Sequence, residues 1–285
     1  MAVIAWVLNL DAEDELSHVG AHTPTRGMRE RIASLAATRL GGLLAPDDVV
    51  VWPGEAKAPG LEGRAWCPTR WAQERLREAG ARVPAAPSME VLRRVNHRRF
   101  SFELGTFLPG STFVTTEAEL EAVLRHEQWW LFKRPLGFAG RGRKRILPSR
   151  LTTEERAWLR SSLPEGLQVE PWVERELDCG LHGFVEQDGT WRLGQLTLQQ
   201  LEPTGAWRST SLAPPGTLAA AEAQALRAEA TRTAQALVAA GYFGPFGIDG
   251  YRWRASDGAR HFQPRSEINA RYSMGWAIGM GQRTS

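Results

Sequence analysis

The sequence predicts a mixed fold of helices and sheets (α/β, α+β), on three observations. Residues 1–95 alternate apolar, strand-like runs with helix-like stretches, the pattern of βαβ units on a parallel sheet. Beyond Ser111, two capping boxes, Thr116–Glu119 and Thr152–Glu155, each open a helix between apolar strands. The last third joins one long alanine-rich helix to a hairpin.

In order, Val3–Leu10 reads as a strand, Gly27–Leu40 as a helix, Asp48–Trp52 as a strand and Thr69–Ala79 as a helix, followed by the short apolar piece Ala81–Val83. Residues 88–104 read as one further helix. Thr112–Thr115, Trp129–Lys133, Arg143–Leu147 and Leu167–Val173 are strands, the middle two separated by a glycine-rich loop. Strands then centre on Cys179–Val185 and Trp191–Leu198, and a Pro/Gly-rich loop spans Pro203–Gly216. Leu218–Ala240 is a helix stopped by Gly241 at its C′ position. Gly247–Trp253 and Arg260–Asn269 form a hairpin around Ser256-Asp-Gly258. The tail Tyr272–Met280 is expected to be a core strand or helix, with packing near the functional site as the other reading.

Composition removes several classes. With 285 residues, 42% hydrophobic and 24% charged, the chain is neither fibrous nor largely disordered. No stretch approaches the ~20 apolar residues of a membrane span. The start has no basic region and meets an acid at Asp11, so it reads as a strand and not a signal peptide. Only two cysteines occur, Cys67 and Cys179, neither in a CxxC pair, so a cytoplasmic setting is expected. The net charge is +3, from 35 basic and 32 acidic residues, but only Lys57, Lys133 and Lys144 are lysines. The arginines are scattered, so neither nucleic acid nor membrane is an expected partner.

Three segments carry chemistry. Lys133 ends an apolar strand beside two tryptophans, where a lone buried ammonium would be costly, and it precedes a loop with Gly137, Gly140 and Gly142. Glycines let backbone amides approach phosphate oxygens. In Val169–Glu176, proline after Glu170 cannot donate to a ladder, which leaves backbone groups beside Trp172 for a ligand edge or makes the segment an ordinary linker. In the hairpin, a turn near residue 257 brings Asp249 opposite the region of Arg265. A period of two then puts Asp249, Glu267 and Asn269 on one face with Arg271 at its edge. Two carboxylates and an amide oxygen suit Mg²⁺, and a solvated polar face is the alternative. Pro264 is expected to force an edge position or a bulge, which bears on the hairpin register.

The order of these features resembles the ATP-grasp superfamily. Leu136-Gly-Phe-Ala-Gly-Arg-Gly-Arg143 looks like the glycine-rich lid loop of biotin carboxylase, and Glu267-Ile-Asn-Ala-Arg271 looks like the family's closing Glu-x-Asn-x-Arg motif. The resemblance covers about 96–276. It implies an ATP-grasp fold with a Rossmann-like pre-grasp domain at 1–95, a central subdomain at 96–171 carrying the lid loop, and a C-terminal subdomain at 172–285 carrying the metal site. It further implies that Lys133 contacts the α/β phosphates of ATP beneath Gly137, Gly140, Arg141 and Gly142. Glu170, Trp172 and Val173 would form the adenine hinge and Glu176 would hold the ribose. Asp249, Glu267 and Asn269 would hold Mg²⁺, and Arg271 would stabilise the transferring phosphoryl group. The family's second nucleotide lysine is missing. Asn96-His-Arg-Arg99 offers only arginines, of which Arg99 takes the role in this reading and Arg98 is the other candidate.

The implied activity is an ADP-forming ligase that activates a carboxylate as an acyl phosphate and joins it to an amine, in small-molecule or peptide tailoring. Substrate recognition would fall to the N-terminal unit and to residues 199–216. A small-molecule kinase and a non-catalytic nucleotide-binding regulator are the rival readings, and the resemblance admits a homodimer.

Overall fold

In the computed structural model, residues 2–17, 22, 24–52, 57–137, 142–202 and 207–281 are described. The N-terminal unit is built on β1 (Ile4–Val7), all of whose residues are buried. It continues with α1 (Ala12–Ser17), α2 (Arg26–Ala37), β2 (Val49–Val50), β3 (Glu62–Ala65) and α3 (Arg70–Glu78). The three strands form a parallel sheet in the order β2-β1-β3, with Ala5 paired to Val49 on one side and Gly63 on the other. Asp48 locks it by accepting from the Ile4 amide at 2.9 Å and the Trp6 indole at 3.0 Å. The periodicity of Glu62–Ala65 is too weak to announce β3. Its Gly63 is required because a Cβ there would lie 2.6 Å from the Arg82 carbonyl oxygen. The piece read at 81–83 contributes only a bridge from Glu62 to Arg82.

Residues 88–104 are two helices, α4 (Met89–Asn96) and α5 (Arg98–Glu103), not one. His97 is extended (φ −74°, ψ 130°), closing the first and capping the second by accepting from the Arg99 amide on Nδ1.

The second unit comprises β4 (Thr112–Val114), α6 (Glu117–Leu124), β5 (Trp130–Lys133), β6 (Arg143–Ile146), α7 (Thr153–Ser162) and β7 (Leu167–Pro171). Its sheet is antiparallel in the order β4-β7-β5-β6, and its core is separate from that of the remaining chain. Both predicted capping boxes form: Thr116 and Thr152 accept from the amides of Glu119 and Glu155, whose carboxylates reach back to the cap amides. Thr116→Ala and Thr152→Ala should each cost about 1 kcal/mol, read as a lower urea midpoint at unchanged slope.

The third unit comprises β8 (Glu174–Val185), β9 (Trp191–Leu201), β10 (Trp207–Leu212), α8 (Ala220–Ala239), β11 (Gly244–Arg254), β12 (Arg260–Asn269) and α9 (Trp276–Met280). The five strands are antiparallel in the order β10-β9-β8-β11-β12. The stretch expected to be a loop at 203–216 therefore contains a strand. The C-terminal tail is helical from Trp276, and Gly241 stops α8 with φ +79°. Pro264 lies on the edge strand within a register shift, where a missing N–H does least harm.

One core joins the first and third units, bringing Trp6, Leu92, Leu181 and Phe246 into one cluster. Both cysteines are buried free thiols, and burial pushes both pKa values far above the ordinary range, so neither is a thiolate. Among the described residues no helix is long and apolar enough to cross a membrane.

Candidate active site

A cleft is lined by residues of all three units. Its floor is the face of the third sheet on which side chains alternate by two. Asp178 and Gly180 on β8 continue to His182, Asp249 on β11 faces Gly180 and Glu267, and Gly247 faces His182 and Asn269. Asp249 and Glu267 are therefore direct cross-strand neighbours. The register differs from the expected one because Tyr251 pairs with Gln263, so the bulge around Pro264 takes up the difference. Asn269 Nδ2 donates to Asp249 Oδ2 at 3.1 Å and Gln199 donates to Oδ1. Burial, then the Glu267 charge, push the Asp249 carboxyl up to about 6. Burial also opposes ionisation of Glu267, but the charges of Arg98, Lys133 and Arg271 outweigh it and hold this carboxyl below its ordinary value.

Two facing half-buried carboxylates beside an amide oxygen, one of them reluctant to ionise, have the donor chemistry of a hard divalent cation. Asp249, Glu267 and Asn269 fit Mg²⁺ on that ground. Among the described residues no group of three or more His, Cys, Asp or Glu side chains is arranged to hold a metal. This trio contains only two carboxylates.

The opposite wall comes from the second sheet. Lys133, Arg143 and Gln168 stand in one row, and Leu131, Arg145 and Glu170 in the next, on the same face. The Lys133 ammonium is buried and meets Glu170 at 2.6 Å. Burial lowers its pKa, against the attraction of Glu170. Glu170 is thus the partner of the lysine, 3% exposed, and not a free edge for a base.

Arg98, and not Arg99, reaches the cleft. Its Nη2 donates to Glu267 at 2.9 Å and its Nε to the Arg134 carbonyl at 3.0 Å, while Nη1 is buried with no partner. Arg99 lies instead over the Phe113 ring at 4.4 Å. The break at His97 makes these the first two residues of a new helix, about 100° apart around its axis.

Glu176 is also placed elsewhere. Trp253 pairs with Arg175 and Arg252 with Leu177, so Glu176 is the extra residue of a bulge. It points to Arg254 and to Arg260 at 2.8 Å, and Asp178 takes the position on the cleft. The Trp172 amide donates to the Trp129 carbonyl at 2.8 Å, and its ring stacks on the Arg145 guanidinium at 4.3 Å. Neither Trp172 nor Val173 lines the cleft. Gly137 does, whereas the Gly142 carbonyl accepts from the Arg134 amide at 2.7 Å. Gly140 and Arg141 lie outside the described residues.

Arg271, two residues past Asn269, also lines the cleft. It is buried against Glu13 of α1, with Nε to Oε1 at 2.6 Å, and donates to the Tyr272 carbonyl at 3.0 Å. Burial works against its charge, but Glu13 more than compensates and raises its pKa. Trp207 and Thr210 from β10 and Met28 and Arg31 from α2 also line the cleft. Sequence reasoning missed Glu13, Asp178 and Gln199 as site residues, and named Arg98 only as the alternative to Arg99. Only Arg98 carried a signal, as the neighbour of the arginine selected.

No protein-family model matches the sequence, and no curated protein matches it. Solved structures do. D-alanyl-alanine synthetase A from Vibrio cholerae O1 biovar eltor aligns with a TM-score of 0.57 at 12% identity, covering 94% of this chain and 89% of that one. The biotin carboxylase domain of 2-oxoglutarate carboxylase from Hydrogenobacter thermophilus, a complex with MgADP, ADP and bicarbonate, aligns at 0.55 and 14% identity over 96% and 65%. N5-carboxyaminoimidazole ribonucleotide synthetase from Thermus thermophilus aligns at 0.52 and 19% identity over 94% and 71%. Taken with the arrangement of the three sheets, these likenesses show that the chain is built on the ATP-grasp fold.

Proposed function

We propose that the protein is an ADP-forming ligase that activates a carboxylate as an acyl phosphate and joins it to an amine, in small-molecule or peptide tailoring. The observation that carries this reading is the meeting in one cleft of Lys133, the unpartnered Nη1 of Arg98 and the Asp249–Glu267–Asn269 row. A buried, unpartnered guanidinium N–H opposite a lysine asks for an anion such as a phosphate chain. Nucleotide complexes among the structural neighbours support the same assignment.

In this reading residues 1–95 are the pre-grasp domain, 96–171 the central subdomain and 172–285 the C-terminal subdomain. Lys133 and Arg98 bind the phosphates of ATP, and Asp178 takes the ribose role expected of Glu176. Mg²⁺ held by Asp249, Glu267 and Asn269 would neutralise phosphate charge. A carboxylate oxygen of the substrate attacks the γ-phosphorus, and the bond to the β,γ-bridging oxygen breaks, giving an acyl phosphate and ADP. The amine nitrogen then attacks the acyl carbon, the C–O bond breaks, inorganic phosphate leaves and the nitrogen loses a proton. Arg271 faces the charge that accumulates on the transferring oxygens. No covalent enzyme intermediate is needed, so the chain supplies position and charge. The two unpaired cysteines favour a cytoplasmic setting.

The melting temperature with and without MgATP tests this. A ligand held only by the folded state at 100 times its Kd adds about 2.7 kcal/mol. Wild type should be stabilised, and Glu267→Ala should lose most of the shift. An unchanged wild-type melting temperature at millimolar MgATP overturns the reading.

A further inference from the structure

The end of the cleft beyond the Asp249–Glu267 pair contains unpartnered polar groups. Trp66 is 3% exposed and lines the cleft, yet its Nε1–H has no acceptor. Ser273 Oγ, two residues past Arg271, is also buried without a partner and lines the same cavity. His182 is 2% exposed, and its Nδ1 is unpartnered. Native structures leave few such groups, so Trp66 Nε1 and Ser273 Oγ on one cleft call for a ligand that satisfies them.

These groups are neighbours. The Arg271 guanidinium sits 5.7 Å from the Trp66 ring centroid, and the Tyr272 amide donates to the Trp66 carbonyl at 3.0 Å. A Cβ built on Gly247 would lie 2.9 Å from His182 Cδ2 and 3.7 Å from Ser273 Oγ. A Cβ on Gly275 would lie 3.0 Å from His182 Cε1, and one on Gly279 would lie 2.6 Å from Nδ1. Glycine at these three positions makes the slot in which the imidazole sits. Gly247 and Gly275 approach the Cδ2–Nε2–Cε1 edge of the ring, and the tight contact at Gly279 closes off Nδ1. Burial alone pushes the His182 pKa down to about 4, so the ring is neutral near pH 7.

Apolar and cationic groups also line the cleft. Met28 and Trp207 line it, and Trp207 Nε1 is already spent on Thr210 Oγ1 at 2.8 Å, which leaves its ring face as wall. The lining carboxylates are Asp178, Asp249 and Glu267, none of them in the His182 row, whereas Arg31 and Arg271, the latter paired with Glu13, also line the cleft. Indole N–H, hydroxyl and guanidinium donors above an apolar wall match an anion attached to an apolar group, and mismatch a cation.

We propose that this end of the cleft seats a carboxylic acid bearing one apolar, ring-sized group, its carboxylate taking hydrogen bonds from Trp66 Nε1, Ser273 Oγ and His182 Nε2 opposite Arg271. The assignment rests on the ligase reading for the direction of the cleft, and it names the substrate class of that site.

The probe is 3-phenylpropanoate, titrated into the full chain with MgADP present and again without nucleotide, with binding followed by calorimetry and melting temperature. Phenethylamine, which has the same ring and the opposite charge, is the control. The proposal expects 3-phenylpropanoate to bind and phenethylamine not to. Trp66→Phe keeps the ring and loses the donor, and Ser273→Ala loses only the hydroxyl. Each should weaken the probe about tenfold, as expected for a lost hydrogen bond to a charged group. His182→Gln, which restores an N–H, should bind more tightly than His182→Ala. Absence of 3-phenylpropanoate binding at millimolar concentration overturns the proposal, as does equal binding of phenethylamine or wild-type affinity in both Trp66→Phe and Ser273→Ala. Failure of the ligase reading is seen separately, as a melting temperature indifferent to MgATP.

Discussion

Replacing Lys133 with methionine is expected to cost about 3–5 kcal/mol of stability and to abolish stabilisation by MgATP. The cost follows from the partner. Glu170 is 3% exposed and meets the ammonium at 2.6 Å, so removing the lysine strands a buried carboxylate. The two consequences separate in the double variant Lys133→Met/Glu170→Leu. Well-packed apolar replacements of a buried ion pair are often neutral. The double variant should therefore regain most of the urea midpoint while remaining indifferent to MgATP. Recovery of the MgATP shift in that variant would show that Lys133 holds Glu170 and not a phosphate.

Arg271→Ala should lower the rate of ADP formation about 10²–10³-fold, the usual consequence of deleting a donor aimed at developing charge. Its partner gives the prediction a second arm. Glu13 belongs to α1 of the N-terminal unit, 258 positions away in sequence, and receives Arg271 Nε at 2.6 Å. Burial raises the Glu13 carboxyl pKa, against the pull of the Arg271 guanidinium that lowers it. Glu13→Gln keeps an acceptor but removes the charge, and should lower the rate with a smaller effect on the melting temperature than Arg271→Ala. The double variant should be little worse in rate than Arg271→Ala alone, since the two side chains act as one unit. Additive losses would mean that Glu13 does not position Arg271. The pair would also make the N-terminal unit part of the chemistry, which separates it from a passive support.

Much of the architecture was legible because the signals are local. Thr116 and Thr152 bond to groups three residues away, so the capping boxes read correctly from spacing alone. The alanine-rich run before Gly241 needs only helix propensity and a residue tolerant of positive φ. The face carrying Asp249, Glu267 and Asn269 followed from a period of two, and Pro264 marked the irregularity that sets its register. The strand β10 was not legible. Polar Trp207–Leu212 borders a Pro/Gly-rich stretch, and it is a strand because β9 offers it an edge.

Short-range pattern therefore determined the mixed α/β class, the helices opened by Thr116 and Thr152 or stopped by Gly241, and the residue types that the proposed phosphate and cation sites use. Tertiary structure alone decided which copy of each type lines the cleft. A break at His97 turned Arg98 inward and Arg99 onto Phe113. One extra residue in β8 sent Glu176 to Arg254 and Arg260 and left Asp178 on the cleft. Burial converted Glu170 and Glu13 from ordinary acids into the partners of Lys133 and Arg271. The physical reason is common to all three. A side-chain period survives in sequence only while the backbone is regular, and a buried charge selects its partner by distance through space, which no spacing along the chain records.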